Sequence, residues 1–459
     1  MRHNRLRWVL AALLVLLAHN TAMARQPAPV SGLKRVLTMG DAQKAGLPAS
    51  VRQQAVARYG LRAVALSNDF VARHNPTYGC VIPGEDQPHR IRDQKSSGRC
   101  WIYATDRVLR SLTRTRGVTA PEMSTSFVNY YALRDQTLGV LRKAADGDKK
   151  GLAPYVAREA ASEGGFQPWA LDIIREHGFV PKRRMDSTAD AFNSSVAVNE
   201  LQRLVVAAQG EFRKVKKSAP DAAARRQSIL QRYEGEVNAL LSATLGQPPA
   251  DFKFRGKSYT PQSFLTSYLR LAPADLDFVV LTHKPTRAFM KQRQVKETGM
   301  RPFAEYNVAM PVLQRAVQDT IRSGQAVYVA ANVSSDNPYR AEGKKVPAAK
   351  GILSLAAFKY EDLIPQHSLT KHDRLKAGIS TANHAMAITG FDPTGRGKVG
   401  KWLVENSWGP TAGDAGHWHM YNDFFRQYVE GVAVPRAVVP KEILERCDAR
   451  AKQLKKSTK

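Results

Sequence analysis

The chain has 459 residues, enough to bury a large core and to form two or three domains. With 43% hydrophobic and 24% charged residues it reads as an ordinary globular protein, and three cysteines are too few for a disulfide-built scaffold. The formal net charge of +29 favours anionic neighbours such as acidic peptides, envelope polymers or nucleic acid. No zinc finger, helix-turn-helix or aromatic-rich basic motif accompanies that charge, which leaves nucleic acid as a non-specific, salt-sensitive partner only.

The chain begins with Arg2, Arg5 and Arg7 before an apolar run from Trp8 to Ala18, and Ala22-Met23-Ala24 places small residues at a cleavage position. This is the pattern of a secretory signal peptide over residues 1–24, too short for a good membrane span. No cysteine follows the run to carry a lipid anchor, and no later stretch is apolar enough to cross a bilayer. The mature protein is therefore expected to be exported, periplasmic or extracellular, without a membrane span. Residues 25–69 form an N-terminal segment with a helix predicted from Pro48 to Tyr59.

Residues 70–185 read as mainly helical and contain Asp93-Gln94-Lys95-Ser96-Ser97-Gly98-Arg99-Cys100-Trp101. Cys100 closes this polar loop and opens an amphipathic run in which Trp101, Ala104, Val108 and Leu112 recur at spacings of three and four, the stripe of a core-facing helix. A thiol at a helix N-terminus meets unpaired backbone N–H groups, which lower its pKa towards thiolate. Gln94, six residues earlier, offers a neutral donor for the oxyanion formed when sulfur attacks a carbonyl. On this loop alone a buried structural cysteine fits equally well. Gly164-Gly165 then precedes a helix predicted from Trp169 to His177. Such glycines admit a substrate backbone closely, or simply make a helix-entry turn.

Residues 186–270 carry two helical stripes, Leu201, Leu204, Val205, Ala208, Phe212 and Ile229, Leu230, Tyr233, Val237, Leu240, Leu241. They predict a helical hairpin inserted into the fold, a candidate interaction surface. Within residues 271–435 the part before about 320 reads as irregular and rich in Lys, Arg and Pro. Strands are then predicted over Gln325–Val333, His384–Phe391, Lys401–Ser407, Gly416–Tyr421 and Tyr428–Pro435. His384, after Asn383, stands at the entrance of one strand; the next ends in Glu405-Asn406-Ser407-Trp408-Gly409. A cysteine nucleophile needs a base and the base needs an orienting group: His384 and Asn406 supply them, with Trp408 to shield their hydrogen bond. His417 and His419 alternate along one strand, but no third ligand stands near, so no metal is expected. Gly395-Arg396-Gly397-Lys398 opens no helix and makes no phosphate cradle, and no cofactor is expected. Residues 436–459 are a basic tail. Cys80 and Cys447 either pair or sit buried as small hydrophobes; the second reading is taken.

The stretch from Gln94 to Trp101 resembles, almost letter for letter, the nucleophile loop of papain-type cysteine peptidases of the bleomycin hydrolase / aminopeptidase C branch. Glu163-Gly164-Gly165 with Trp169-Ala170-Leu171, Gly178-Phe179-Val180-Pro181-Lys182, Leu245-Gly246-Gln247-Pro248-Pro249, Tyr259-Thr260-Pro261 and the His384 and Asn406 strands fit the same branch. The resemblance runs from about residue 70 to about 440. It implies an α+β, papain-like two-lobed fold: a helical lobe over 70–185 and an antiparallel β half-barrel over 271–435, with 186–270 inserted. His384 lies 284 residues after Cys100, against about 130–150 in the simple papain plan, which supports the insertion. The resemblance also implies peptide substrates and a catalytic set of Cys100, His384, Asn406 and Gln94. It likewise implies that Gly164, Gly165, Asn383 and Trp408 line the substrate side. It further implies a homo-hexamer assembled through the insertions, no metal, and no separate inhibitory propeptide.

The end of the chain departs from that branch. Its members carry an apolar C-terminal tail in the cleft, whose carboxylate holds the substrate's amine and restricts cleavage to the N-terminus. Here Lys455 to Lys459 close a lysine-rich end, which repels an ammonium. The expectation is an open cleft that admits internal peptide bonds, unless another acidic group such as Glu163 holds the amine. Two other readings stand beside the peptidase: a catalytically silent binding protein on the same scaffold, and a basic protein that binds nucleic acid or the cell envelope. Labelling with a thiol-directed epoxide separates them.

Overall fold

A computed structural model describes residues 49–84, 91–147, 160–216, 218–335, 337–341, 350–364, 369–379 and 381–457. The signal peptide expected over 1–24 lies outside these residues. The amphipathic run after the nucleophile loop is helix α1 (Cys100–Thr115), with Trp101, Ala104, Val108 and Leu112 all buried. Helix α2 (Thr125–Ala145) starts where the Ser124 side chain accepts the Phe127 N–H, a capping bond that satisfies one of the four orphan donors of a helix start. Helix α3 (Gln167–His177) has Pro168 in its first turn and stops at Gly178. Gly178 has φ +81°, and a Cβ there would lie 2.2 Å from the Pro261 carbonyl carbon, so only glycine fits.

The two stripes of the insertion form helices α4 (Ser195–Lys214) and α5 (Ala222–Leu245). They pack on each other and on α2, and their buried faces join the core shared by the rest of the chain. The irregular reading of 271–320 needs correction, since it holds three strands and helix α6 (Met310–Arg322). Met310, Leu313, Val317 and Ile321 bury one face of α6 at spacings of three and four, a signal present in the sequence.

The strands are β1 (Cys80–Val81), the hairpin β2 (Phe252–Phe254) and β3 (Lys257–Tyr259), β4 (Phe278–Thr282), β5 (Lys291–Val295), β6 (Phe303–Asn307), β7 (Val327–Ala331), β8 (Arg340–Ala341), β9 (Ile352–Leu353), β10 (His384–Pro393), β11 (Val399–Glu405), β12 (His417–Tyr421) and β13 (Val429–Pro435). Among the described residues, all but the β2–β3 hairpin belong to one 11-stranded sheet in the order β5-β6-β4-β13-β7-β10-β11-β12-β9-β8, with β1 also paired to β10. Pairing is antiparallel except at β4–β6 and β9–β12. The fold is thus α+β. Strand β10 is buried from His384 to Phe391 because α1 covers it on one side and α6 also packs against it, which is why its sequence runs apolar instead of alternating. Helix α7 (Lys441–Ser457) packs against β5 and protects that edge of the sheet from pairing with another chain.

Candidate active site

The loop before α1 is laced to the end of β11. Gln94 N–H donates to Ser407 O at 2.8 Å, and Gly409 N–H donates to Arg92 O at 3.0 Å. These bonds bring Cys100, the first residue of α1, to the strand pair that carries His384 and Asn406. The approach is close at Ala385, whose backbone N–H favours the Cys100 thiolate. Arg99, fully buried at the cap of α1, anchors the loop by donating to Ser97 Oγ (3.0 Å), Thr125 Oγ1 (3.1 Å), Ser126 Oγ (3.2 Å) and Ala191 O.

His384 Nε2–H donates to Asn406 Oδ1 at 2.7 Å. That bond fixes the neutral tautomer with Nε2 protonated, leaving Nδ1 as the basic nitrogen. Asn406 Oδ1 also accepts the Ser407 N–H at 2.7 Å, so the amide is held from its own strand end. Trp408 stacks on the His384 ring, centroids 4.5 Å apart and planes 25° from parallel, and the Arg340 guanidinium lies over the Trp408 ring, 4.6 Å from its centroid. The indole covers the His384–Asn406 bond, and away from water that bond is electrostatically stronger.

Burial pulls His384 down to about 4, against the raising effect of the Asn406 hydrogen bond. Burial likewise pushes the Cys100 thiol up to about 11, outweighing hydrogen bonds from the Ala385 and Trp101 N–H groups, which favour thiolate. The sequence led us to expect a thiol lowered by the helix end. The helix end and its N–H groups are present, but the loss of hydration at this site is the larger effect. Burial therefore favours the neutral thiol and the neutral imidazole. Proton transfer from Sγ to Nδ1 belongs to the attack itself, where each new charge is stabilised by the other.

Gln94 is buried, with Nε2 donating to Ser97 O at 2.6 Å and Oε1 accepting from Ser407 Oγ at 2.6 Å. An amide nitrogen has two protons, so one remains to meet an oxyanion beside the Cys100 N–H. Gly164 has φ +135° and nothing within 4 Å of where a Cβ would sit, so the space on that side of its Cα is open. Gly165 lies against the Trp101 indole, where a Cβ would come within 2.8 Å. Asn383 is placed differently from the other substrate-side candidates: its Oδ1 accepts the Val333 N–H at 3.2 Å and holds the end of β7 to the His384 strand. Sequence reasoning missed Ser407 and Arg99, although both stand inside the motifs it used.

His419 accompanies Tyr78 and Asp414, at 2.7 and 3.2 Å from its two ring nitrogens, and among the described residues no group of three ligating side chains gathers around a metal position. Cys80 is half-buried and Cys447 buried, and no disulfide joins them.

A family model described as "Peptidase C1-like family" matches residues 39–457. Aminopeptidase W of Lactobacillus delbrueckii subsp. lactis is 27% identical over 429 residues, covering 86% of this chain and 91% of that protein. Aminopeptidase C of Listeria monocytogenes is 26% identical over 422 residues, covering 86% and 90%. Bleomycin hydrolase of Rattus norvegicus is 24% identical over 394 residues, covering 79% and 84%. Among solved structures, PepW of Lactobacillus rhamnosis HN001 shares the fold, with a TM-score of 0.75 at 24% identity over 91% of this chain and 96% of that one.

Proposed function

The chain belongs to the Peptidase C1-like family as a papain-type cysteine peptidase of the aminopeptidase C branch, and on that premise we propose that it is an exported enzyme whose cleft admits internal as well as N-terminal peptide bonds. The observation that carries the chemistry is the 2.7 Å bond from His384 Nε2 to Asn406 Oδ1, with Cys100 close enough to the next residue, Ala385, for its N–H to favour the thiolate. Cys100 Sγ attacks the scissile carbonyl while its proton passes to His384 Nδ1. The carbonyl oxygen, now an anion, meets the Cys100 N–H and Gln94 Nε2. His384 then protonates the leaving amine, an acyl-enzyme forms, and water activated by the same imidazole releases the acid.

The open-cleft part of the reading is supported by the place of helix α7 in the fold. Helix α7 lies along β5, five strand positions from β10, or about 24 Å measured along the sheet. Glu163, the other group considered for holding a substrate amine, already accepts hydrogen bonds from Gly98, Asn129 and Ser194. Aminopeptidase action is the second reading, favoured by the names of the relatives. One peptide offered in free and N-acetylated forms decides between them. Equal cleavage supports the open cleft; strict dependence on the free amine restores the aminopeptidase. Cys100→Ala serves as the control for both. Export follows from the N-terminal sequence and is tested by locating the mature protein after cell fractionation.

A further inference from the structure

Glu163 sits next to Gly164-Gly165 but its carboxylate does not face the cleft unengaged. Oε2 accepts the Gly98 N–H at 2.6 Å and the Ser194 hydroxyl, and Oε1 accepts Asn129 Nδ2 at 3.3 Å. Ser194 is the cap residue of α4, a position where serine ordinarily accepts a backbone N–H of its own helix; here it makes no such bond, and its hydroxyl goes to Glu163 instead. Two more bonds join the same segment to the nucleophile loop: Ser96 N–H to Phe192 O at 3.0 Å, and the Arg99 guanidinium to Ala191 O. The approach is close enough to dictate residue type. A Cβ on Gly98 would lie 2.6 Å from the Glu163 Cβ, and one on Gly165 would lie 2.8 Å from the Trp101 ring.

We infer that Glu163 is a positioning residue for the peptidase reaction: its carboxylate clamps the nucleophile loop, at Gly98, to the Gly164 edge of the cleft and ties both to the first turn of the helical insertion. The inference rests on the peptidase reading above and adds two points to it. Cys100, two residues beyond Gly98, is held at a set distance from Gly164, where a Cβ would meet only open space. The insertion is part of the catalytic support, because residues 191–194 hold the loop from below. A fixed carboxylate also bears on the chemistry, since its negative charge opposes thiolate formation at Cys100.

The test compares Glu163→Gln, Glu163→Ala and Ser194→Ala with the wild-type enzyme on free and N-acetylated peptides. Glutamine keeps the acceptor for Gly98 and removes the charge, so kcat should stay within about threefold while the alkaline titration of the Cys100 thiol moves to lower pH. Alanine removes the clamp and should lower kcat by about 10–100-fold with a small change in KM, the loss expected when a reacting atom is misplaced by about 1 Å. Ser194→Ala should fall between the two. Wild-type kcat in Glu163→Ala would overturn the clamp. So would a KM increase confined to free-amine peptides in Glu163→Gln, which is the signature of an amine anchor. Wild-type activity and Cys100→Ala test the peptidase reading separately, and Glu163→Gln keeps the clamp testable where Glu163→Ala does not fold.

Discussion

Ser407 Oγ donates a 2.6 Å hydrogen bond to Gln94 Oε1, joining two buried side chains 313 residues apart in sequence. The Ser97 carbonyl, which can only accept, sets Gln94 Nε2 towards itself, and the Ser407 hydroxyl holds the other end of the amide by donating to Oε1. A donor fixed in advance stabilises an oxyanion without reorganising when charge appears. Removing the fixing bond should therefore slow the chemistry and leave binding alone. Ser407→Ala is expected to lower kcat roughly tenfold with KM little changed. Gln94→Ala, which removes the donor itself, is expected to lose about 10²–10³-fold. Steady-state kinetics on one peptide check both. An unchanged kcat in Gln94→Ala would remove the amide from the oxyanion hole.

The nucleophile and base act as one unit, so their losses should not add. Cys100→Ala should abolish hydrolysis, His384→Ala should lose nearly as much, and the double variant should be no worse than Cys100→Ala. Thermal unfolding of each variant verifies that the fold is retained.

The neutral resting pair sets the pH dependence. His384 must be unprotonated to accept the thiol proton, and burial holds it down to about 4. Activity should therefore rise as pH increases through about 4 and stay level through neutrality, because the thiol remains protonated until about 11. Asn406→Ala removes the hydrogen bond that raises the imidazole, so the acid limb should move lower still while kcat drops. The pH profile of kcat/KM measures this. Ultraviolet absorbance of the thiolate should be missing at neutral pH and appear only in strong alkali; its presence at neutral pH would mean a standing ion pair.

The chemistry of this site was legible in the sequence, while its electrostatics was not. Gln94, Cys100, His384 and Asn406 stand in short motifs whose spacing already places a thiol at a helix start and an imidazole at a strand entrance. The direction of the Cys100 shift depends on how much water α1, β10 and Trp408 exclude together, which no local pattern records. The same limit explains the strands missed between 271 and 320. Lys291-Gln292-Arg293-Gln294-Val295 is a polar edge strand that forms because β6 pairs on one side and α7 packs against it, both brought from elsewhere in the chain. The Asn383 side chain, read as part of the substrate wall, bonds Val333, whose nearness is set by the pairing of β7 with β10.

Acid should weaken the fold through buried histidines as well as stop the reaction. His419 is buried between Tyr78 and Asp414, and burial pulls it down to about 4 from its ordinary 6.5. Below 6.5 the unfolded chain takes up a proton that the folded protein refuses. Stability is therefore full above that pH, falls as pH drops to about 4, and levels off below it. The shift corresponds to about 3 kcal/mol for this one residue. His419→Gln should be less stable at neutral pH, yet lose less on acidification. Melting temperatures followed from neutral pH to about 4 test this; parallel loss in both proteins would assign the acid sensitivity elsewhere.

The last expectation separates the C-terminal helix from specificity. Among the described side chains of α7, Leu444 and Cys447 are buried, and the helix packs on β5 at the sheet edge remote from β10. If the end of the chain governed access to the cleft, loosening α7 would change which peptides are cut. If it only covers an edge, loosening it costs stability alone. Leu444→Ala should destabilise the protein by about 2–3 kcal/mol, the lower part of the range for truncating a buried leucine. The ratio of cleavage rates on free and N-acetylated forms of one peptide should stay at the wild-type value, measured on the folded fraction. A ratio that moves with α7 would place the C-terminal segment in the cleft after all, and with it the amine-holding arrangement of the aminopeptidases.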